Sequence, residues 1–181
     1  WNGSTARAGN VIGGGDYGVD RIVPDSVRAL ETGGSIAVRS PDATRPWQHV
    51  LDCLSGYLWL GARLADDESL SSGFNFGPTS EAQRPVHELV EYFLQHWPGE
   101  WHDASDANAP HEAITLSLAI DKARQQLGWQ PVWDFSTSVQ RAARWYHQRH
   151  VVKVDDIHGL SLAQLEAFTS DAIRQDIVWA K

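Results

Sequence analysis

The sequence predicts an α/β fold in which a few short strands alternate loosely with about six helices. Two observations support this fold class. Apolar residues recur at helical spacing in several segments, and short β-prone runs bounded by glycine or proline lie between them. With 181 residues, 42% of them hydrophobic and 21% charged, the chain has the composition of a globular domain. We therefore expect one folded unit with a substantial core.

The composition also excludes several classes of partner. The net charge is −8 and no block of basic residues occurs, so we expect no nucleic-acid partner. No apolar run approaches the roughly 18 residues of a membrane span, so we expect no membrane partner. The single cysteine, Cys53, cannot form an internal disulfide, which predicts a cytoplasmic protein with Cys53 as a small core residue. Methionine is absent even from position 1, and we expect the chain to be a piece of a longer protein.

The first forty residues are predicted to form strand, loop, helix and strand in that order. Residues 5–12 have the composition of a strand that leads into the glycine loop 13–15. A helix follows between Pro24 and Gly33, because proline is favoured near helix starts and glycine just past helix ends. Residues 35–39 then form a second strand.

The clearest helical pattern in the first half covers residues 47–64, where apolar residues follow helical spacing. The remaining elements are predicted from the same signals. They are a strand at 73–77, a helix from Pro85 to before Pro98, a polar loop at 101–110, a strand at 114–118, helices at 121–127 and 136–150, and a last helix capped by Ser161 with Gln164 three residues on.

The segment Gly13-Gly14-Gly15-Asp16-Tyr17-Gly18 matches the pattern G-x-G-x-x-G of dinucleotide-binding proteins. In that fingerprint the helix begins inside the glycines, so that its first amides meet the pyrophosphate. Here Pro24 places the start of the helix several residues later. We therefore expect a glycine loop that borders a ligand, and no dinucleotide cradle.

Three arginines, Arg21, Arg39 and Arg45, lie near predicted loops. A guanidinium group has a rigid fork of donors suited to phosphate oxygens, so converging arginines would form a diphosphate clamp. Surface ion pairs are the alternative, and spacing alone favours them. Their partners would be Asp20, Asp25 and Asp42.

The eight histidines do not predict a metal site. His147 and His150 share a helix face, but no third ligand accompanies them, and His87 lacks the second histidine of H-E-x-x-H. No serine lies in a G-x-S-x-G turn. The residues alone therefore predict neither a metal centre nor a nucleophile.

Several segments, taken in order, resemble the second half of the CDP-glucose 4,6-dehydratases, a family of sugar-nucleotide enzymes within the extended short-chain dehydrogenases/reductases. The most specific is Thr44-Arg45-Pro46-Trp47-Gln48-His49-Val50, whereas the Leu-Gly-Trp-x-Pro segment at 127–131 is shared by many related epimerases and dehydratases. The resembling segments are 7–16, 20–25, 42–51, 54–58, 75–78, 110–113, 121–123 and 127–131, and the resemblance fades after about Tyr146.

The resemblance implies the C-terminal part of an NAD-binding, Rossmann-like fold, mostly its smaller substrate-binding lobe. It implies a reaction in which NAD takes the C4 hydride of CDP-glucose, water leaves from C5 and C6, and the hydride returns to C6. The family's Tyr-x-x-x-Lys pair lies upstream, and no tyrosine of this chain has a lysine four residues later. The resemblance therefore implies NAD as cofactor, CDP-glucose as partner, a homo-oligomer for the intact enzyme, and an isolated chain without catalytic residues.

The resemblance also assigns residues to binding roles. Those matched to the family's substrate contacts are Asn10, Arg21, Ile22, Ile36, Val38, Arg39, Arg45, Asn75, His111 and Glu112, and those matched to the segment near the nicotinamide are Arg7, Ala8 and Gly9. Residues 1–150 would form the substrate-binding portion and residues 151–181 a helical tail. Tyr17 departs from the family, which more often has tryptophan there. Two alternatives stay open, namely a non-catalytic binding module and an enzyme acting on another nucleotide sugar.

Overall fold

The protein is described by a computed structural model over residues 3–106 and 114–181, which contain seven short strands and six α-helices. The strands are β1 (Thr5–Ala8), β2 (Asn10–Ile12), β3 (Ile36–Val38), β4 (Thr44–His49), β5 (Gly73–Phe76), β6 (Gln83–Pro85) and β7 (Trp101–Asp103). The helices are α1 (Ile22–Glu31), α2 (Val50–Asp66), α3 (Val86–Leu94), α4 (Asp121–Leu127), α5 (Phe135–His150) and α6 (Ile157–Arg174). The prediction of an α/β chain with few strands is confirmed.

The strands form three small sheets. β1 pairs with β5 and β3 pairs with β7, both in parallel. β4 is the central strand of the third sheet, parallel to β2 and antiparallel to β6. The single strand predicted over residues 5–12 is divided at Gly9, where an added Cβ would lie 3.0 Å from the Pro46 carbonyl oxygen. The division lets β1 and β2 pair with different partners.

The predicted helix over residues 47–64 begins later than its apolar pattern indicated. Residues 47–49 belong to β4, because Trp47 pairs with Asn10 of β2 and the sheet requires this central strand. α2 then starts at Val50, and the His49 side chain caps it by accepting a hydrogen bond from the Leu51 N–H at 3.2 Å.

Three further predictions are wrong in local detail. The predicted polar loop at 101–110 contains strand β7, which is short and polar but gains a parallel partner in β3. Within the predicted strand at 114–118, Thr115 makes only an isolated bridge to Thr44. α6 is capped by Asp156, which accepts from the Gly159 N–H at 2.8 Å, rather than by Ser161, because Asp156 is the earlier acceptor and the residues between can already be helical.

The core consists of three apolar clusters. The largest joins α1, α3 and α5, and the second packs α2, β5 and α4 around Trp129, which is fully buried. In the third, Phe168 and Ala172 of α6 pack near Trp133. Cys53 of α2 is buried, with 6% of its surface exposed, as predicted. The functional division between residues 1–150 and 151–181 stays a prediction.

No helix within residues 3–106 and 114–181 has the length and apolar character needed to cross a membrane.

Two glycines of α2 predict opposite results for the same substitution. An added Cβ at Gly56 would overlap the ring of Phe76, whereas one at Gly61 would meet nothing within 4 Å. We expect Gly56→Ala to lower the free energy of unfolding by about 1–3 kcal/mol through overpacking. We expect Gly61→Ala to raise it by up to about 1 kcal/mol through helix propensity. Urea denaturation of both variants checks this, and a stabilised Gly56→Ala protein would contradict the close packing of α2 on β5.

Candidate functional site

A cavity of about 390 Å³ lies between β2, the start of α1 and the segment that connects them, which we call the connecting loop (residues 13–21). Its wall includes the backbone of Gly9 and the residues Asn10, Asp16, Arg21 and Trp47. These lining residues place hydrogen-bond donors, charges of both signs and an aromatic ring on one concave surface. Such a mixture is typical of ligand sites.

The cavity brings together four of the residues that the resemblance assigned. Gly9, Asn10, Arg21 and Ile22 all line it. Arg39 lies at its margin through an ion pair with Asp20, a lining residue, at 3.1 Å.

Arg45 shares one face of β4 with Trp47, because side chains two positions apart in a strand point the same way. Trp47 in turn pairs with Asn10, so this face continues toward the cavity wall. Arg45 donates a hydrogen bond to the Thr44 carbonyl at 2.9 Å and pairs across the sheet with Arg84. Arg84 also forms an ion pair with Glu88 at 3.4 Å, so a carboxylate already lies beside these two opposed cations.

The connecting loop has a defined charge arrangement. The Asp16 carboxylate accepts a hydrogen bond from the Gly18 N–H at 2.9 Å and forms an ion pair with Arg21 at 3.0 Å. Partial burial opposes ionisation of Asp16, but the Gly18 hydrogen bond and the Arg21 and Arg28 charges outweigh it and hold the pKa of this carboxyl below its usual value. Asp20 has a φ of 62°, a left-handed conformation that aspartate adopts more readily than most residues.

The other assigned residues lie elsewhere or outside the described ranges. The side chains of Ile36 and Val38 are fully buried in the core, so a contact from either residue to a ligand would have to use its backbone. Arg7, Ala8 and Asn75 belong to the β1–β5 pair and do not line the cavity, and the Asn75 amide donates to the Ala119 carbonyl at 3.0 Å. His111 and Glu112 lie outside the described residues.

Sequence reasoning did not assign Asp16, Asp20 and Trp47 to the site. Asp16 and Asp20 flank the glycines that were expected to border a ligand, so their position beside Arg21 was the available signal. Trp47 stood in the most specific resembling segment, but the helical interpretation placed its side chain in a different element.

Two buried ionisable groups lie at the start of α2. Burial, together with the nearby Arg141 charge, lowers the pKa of His49 to about 3. Burial raises the pKa of Asp52 to about 7, although Asp52 accepts hydrogen bonds from the backbone N–H groups of Val132 at 2.6 Å and Trp133 at 3.4 Å. The Asp52 carboxyl therefore fixes the turn before α5 to the first turn of α2.

Within the described part of the chain, no group of three or more His, Cys, Asp or Glu side chains is placed to hold a metal ion.

The glycine-rich segment does not fit the diphosphate of NAD. α1 begins at Ile22, after Gly18 and with Arg21 as its N-cap, so its first amides do not form the turn at the glycines. The helix thus starts after the glycines, as the position of Pro24 predicted. That Arg7, Ala8 and Gly9 contact a cofactor stays a prediction.

Comparison with solved structures gives the class of the fold. The chain superposes on a dTDP-glucose 4,6-dehydratase from Streptomyces venezuelae with NAD bound, at a TM-score of 0.68 and 17% identity, over 86% of this chain and 47% of that one. A UDP-glucuronic acid 4-epimerase from Bacillus cereus matches with a TM-score of 0.67 and 15% identity, over 79% of this chain and 44% of that one. The chain therefore has the fold of one part of an extended short-chain dehydrogenase/reductase.

Sequence comparison gives a particular relative. The chain is 41% identical over 145 residues to the CDP-glucose 4,6-dehydratase of Salmonella typhimurium, which confirms the resemblance seen in its motifs. The aligned region is 79% of this chain and 40% of that protein, so the chain spans about two fifths of the length of its curated relative. No family model matches the chain.

Proposed function

We propose that this chain is the nucleotide-sugar-binding portion of a CDP-glucose 4,6-dehydratase, which converts CDP-D-glucose to CDP-4-dehydro-6-deoxy-D-glucose with NAD. The observation that carries the proposal is the cavity whose wall contains Asn10, Arg21 and Ile22, all from segments that resemble this family. The 41% identity to the Salmonella enzyme supports the same substrate class.

The chemistry of the cavity suits a nucleoside diphosphate sugar. Arg21 at the wall, with Arg45 on the adjoining face of β4, supplies guanidinium donors for phosphate oxygens. Asn10 supplies an amide with both donor and acceptor atoms, and Ile22 supplies an apolar surface for a ring. The volume of about 390 Å³ lies in the lower part of the usual range for ligand pockets, in keeping with a site that holds part of a larger ligand.

The proposed role is recognition without catalysis. Hydride and proton transfer require positioned acid, base and cofactor, and the 181 residues contain no Tyr-x-x-x-Lys pair. We therefore expect no turnover of CDP-glucose by the chain with added NAD. This absence also favours the alternative of a binding module that keeps the site and has no reaction of its own.

Calorimetric titration of the 181-residue chain tests the substrate. We expect saturable binding of CDP-glucose, about tenfold or more tighter than binding of UDP-glucose, since one unmatched hydrogen bond at the base costs about 1–3 kcal/mol. Circular dichroism of the same sample serves as the folding control. Equal or tighter binding of UDP-glucose would favour an enzyme for another nucleotide sugar, and no binding by a folded chain would contradict the proposed site.

A further inference from the structure

The connecting loop forms one wall of the cavity but belongs to none of the three sheets. Its backbone must therefore be held by contacts from other elements. Those contacts come from the C-terminal half of α5 and from α1, whose residues Tyr146, His150 and Arg28 bond to the loop without lining the cavity.

Tyr146 of α5 holds both backbone polar groups of a single loop residue. Its hydroxyl accepts a hydrogen bond from the Asp16 N–H at 2.9 Å and donates one to the Asp16 carbonyl oxygen at 2.7 Å. The Tyr146 side chain is fully buried, so these bonds are shielded from competing water. One phenol group thus fixes the position of Asp16 from a point 130 residues away in the sequence.

His150 lies one helical turn beyond Tyr146 and makes a second connection. Its Nε2 lies 3.0 Å from the Tyr17 hydroxyl, and its Nδ1 forms an ion pair with Glu31 of α1. A carboxylate only accepts hydrogen bonds, so Nδ1 carries a proton toward Glu31, and the Tyr17 hydroxyl, which can donate or accept, bonds to Nε2 in either protonation state of the ring. The next loop residue is therefore tied to α5 and α1 at once.

Two further contacts complete the attachment. Gly14 lies so close to the indole of Trp145 that an added Cβ would overlap the ring. Arg28 of α1 donates to the carbonyl oxygens of Tyr17 at 3.2 Å and Gly18 at 3.1 Å.

We propose that Tyr146 and His150 are positioning residues for the cavity, which hold the connecting loop so that Asp16 and Arg21 face the ligand. Neither residue lines the cavity, so both act through the loop. The identity of the ligand rests on the function proposed above, whereas the attachment of the loop does not. Sequence spacing gave no indication of this role for either residue.

Hydrogen–deuterium exchange of the connecting loop tests the attachment directly. We expect Tyr146→Phe, which keeps the ring, to speed exchange in the loop about five- to tenfold, the effect of losing one or two hydrogen bonds. Exchange in α4, which packs in a different cluster, should not change. Tyr92→Phe is the matched control, because Tyr92 packs on Phe135 of α5 away from the loop.

His150 is tested with two variants. We expect His150→Leu to speed loop exchange, and His150→Gln to restore much of the protection, since its amide can donate to Glu31 and accept from Tyr17. Unchanged loop exchange in both Tyr146→Phe and His150→Leu would overturn the proposal. Equal effects of the leucine and glutamine variants would overturn the part assigned to His150.

Titration of the same variants with CDP-glucose tests the consequence for the cavity. We expect Tyr146→Phe to weaken binding about three- to tenfold while Tyr92→Phe binds normally. A freed loop with unchanged affinity would overturn the positioning role. If the unmodified chain binds no CDP-glucose, the proposed function fails on that result, and the exchange data alone still decide whether the two residues hold the loop.

Discussion

Replacing Asp52 with asparagine is expected to make the chain progressively more stable, relative to the unmodified chain, as the pH rises from about 4 to about 7. Because the folded-state pKa of Asp52 is raised from 3.8 to about 7, its contribution to stability is fully present below pH 4 and is lost as the pH rises through 7. The asparagine side chain does not ionise, so that loss is absent from the variant. The difference in the free energy of unfolding should change by up to about 1.4 kcal/mol per pH unit across this window.

Urea denaturation of both proteins at pH values from about 4 to about 8 measures this difference. A constant difference across the window would contradict the raised pKa of Asp52. His49→Asn is the matched control, because asparagine retains an acceptor for the N-cap bond but does not titrate. The lowered pKa of His49 means that its contribution is present above pH 6.5 and is lost as the pH falls toward 3. The stability of His49→Asn relative to the unmodified chain should therefore fall as the pH rises, opposite to the result for Asp52→Asn.

The opposite slopes have a physical consequence for the unmodified chain. Between about pH 4 and pH 6.5, a rise in pH lowers the free energy of unfolding through Asp52 and raises it through His49. Each single variant removes one of these two contributions and leaves the other to be measured. The groups are close together at the start of α2, so the double variant is needed to measure their coupling.

Replacing Arg45, which is half-buried, with alanine is expected to weaken CDP-glucose binding by about 2–5 kcal/mol, the usual effect of truncating one partner of a charge pair that the bound ligand would bury. The expectation follows from the place of Arg45 beside Trp47 and opposite Arg84 on the face that continues toward the cavity. Calorimetric titration measures the effect. The affinity of Arg45→Lys for CDP-glucose should lie between those of the unmodified chain and Arg45→Ala, because lysine keeps the charge but lacks the fork of donors.

Arg124→Ala is the control for this experiment, since Arg124 is an exposed residue of α4 outside the cavity wall. Its affinity for CDP-glucose should equal that of the unmodified chain. An Arg45→Ala chain with unchanged affinity would exclude Arg45 from the site. The proposal would then depend on Arg21 for its diphosphate contact.

Local sequence patterns, such as apolar spacing and a capping glycine, predicted the helices well where strand pairing and core packing favoured the same structure. The spacing of apolar residues and the left-handed Gly128 fixed the end of α4, which the structure confirms. β4 was missed because Trp47 continues the apolar spacing of α2, and only the pairing with β2 makes it a strand. β7 was missed because its three residues become a strand only when β3 lies beside them.

The same distinction applies to the site. Asn10, Arg21 and Ile22 were assigned because they lie in segments that resemble the family, and the structure places all three at the cavity wall. Tyr146 and His150 were not assigned to the site. The Tyr146 hydroxyl bonds to the backbone of a residue 130 positions earlier, and such a contact produces no pattern in the local sequence. The resemblance itself fades near Tyr146, so neither route reached the residues that support this wall of the cavity.

The burial of Cys53 makes its thiol a probe of unfolding. It is the one cysteine among the 181 residues, it lies inside α2, and burial raises the pKa of its thiol, so the reactive thiolate is scarce in the folded chain. A thiol reagent modifies it mainly when α2 opens or the chain unfolds. The rate of labelling at this one sulfur atom therefore measures how often the core opens. Comparing the rate with and without a nucleotide sugar shows whether ligand binding makes that opening rarer.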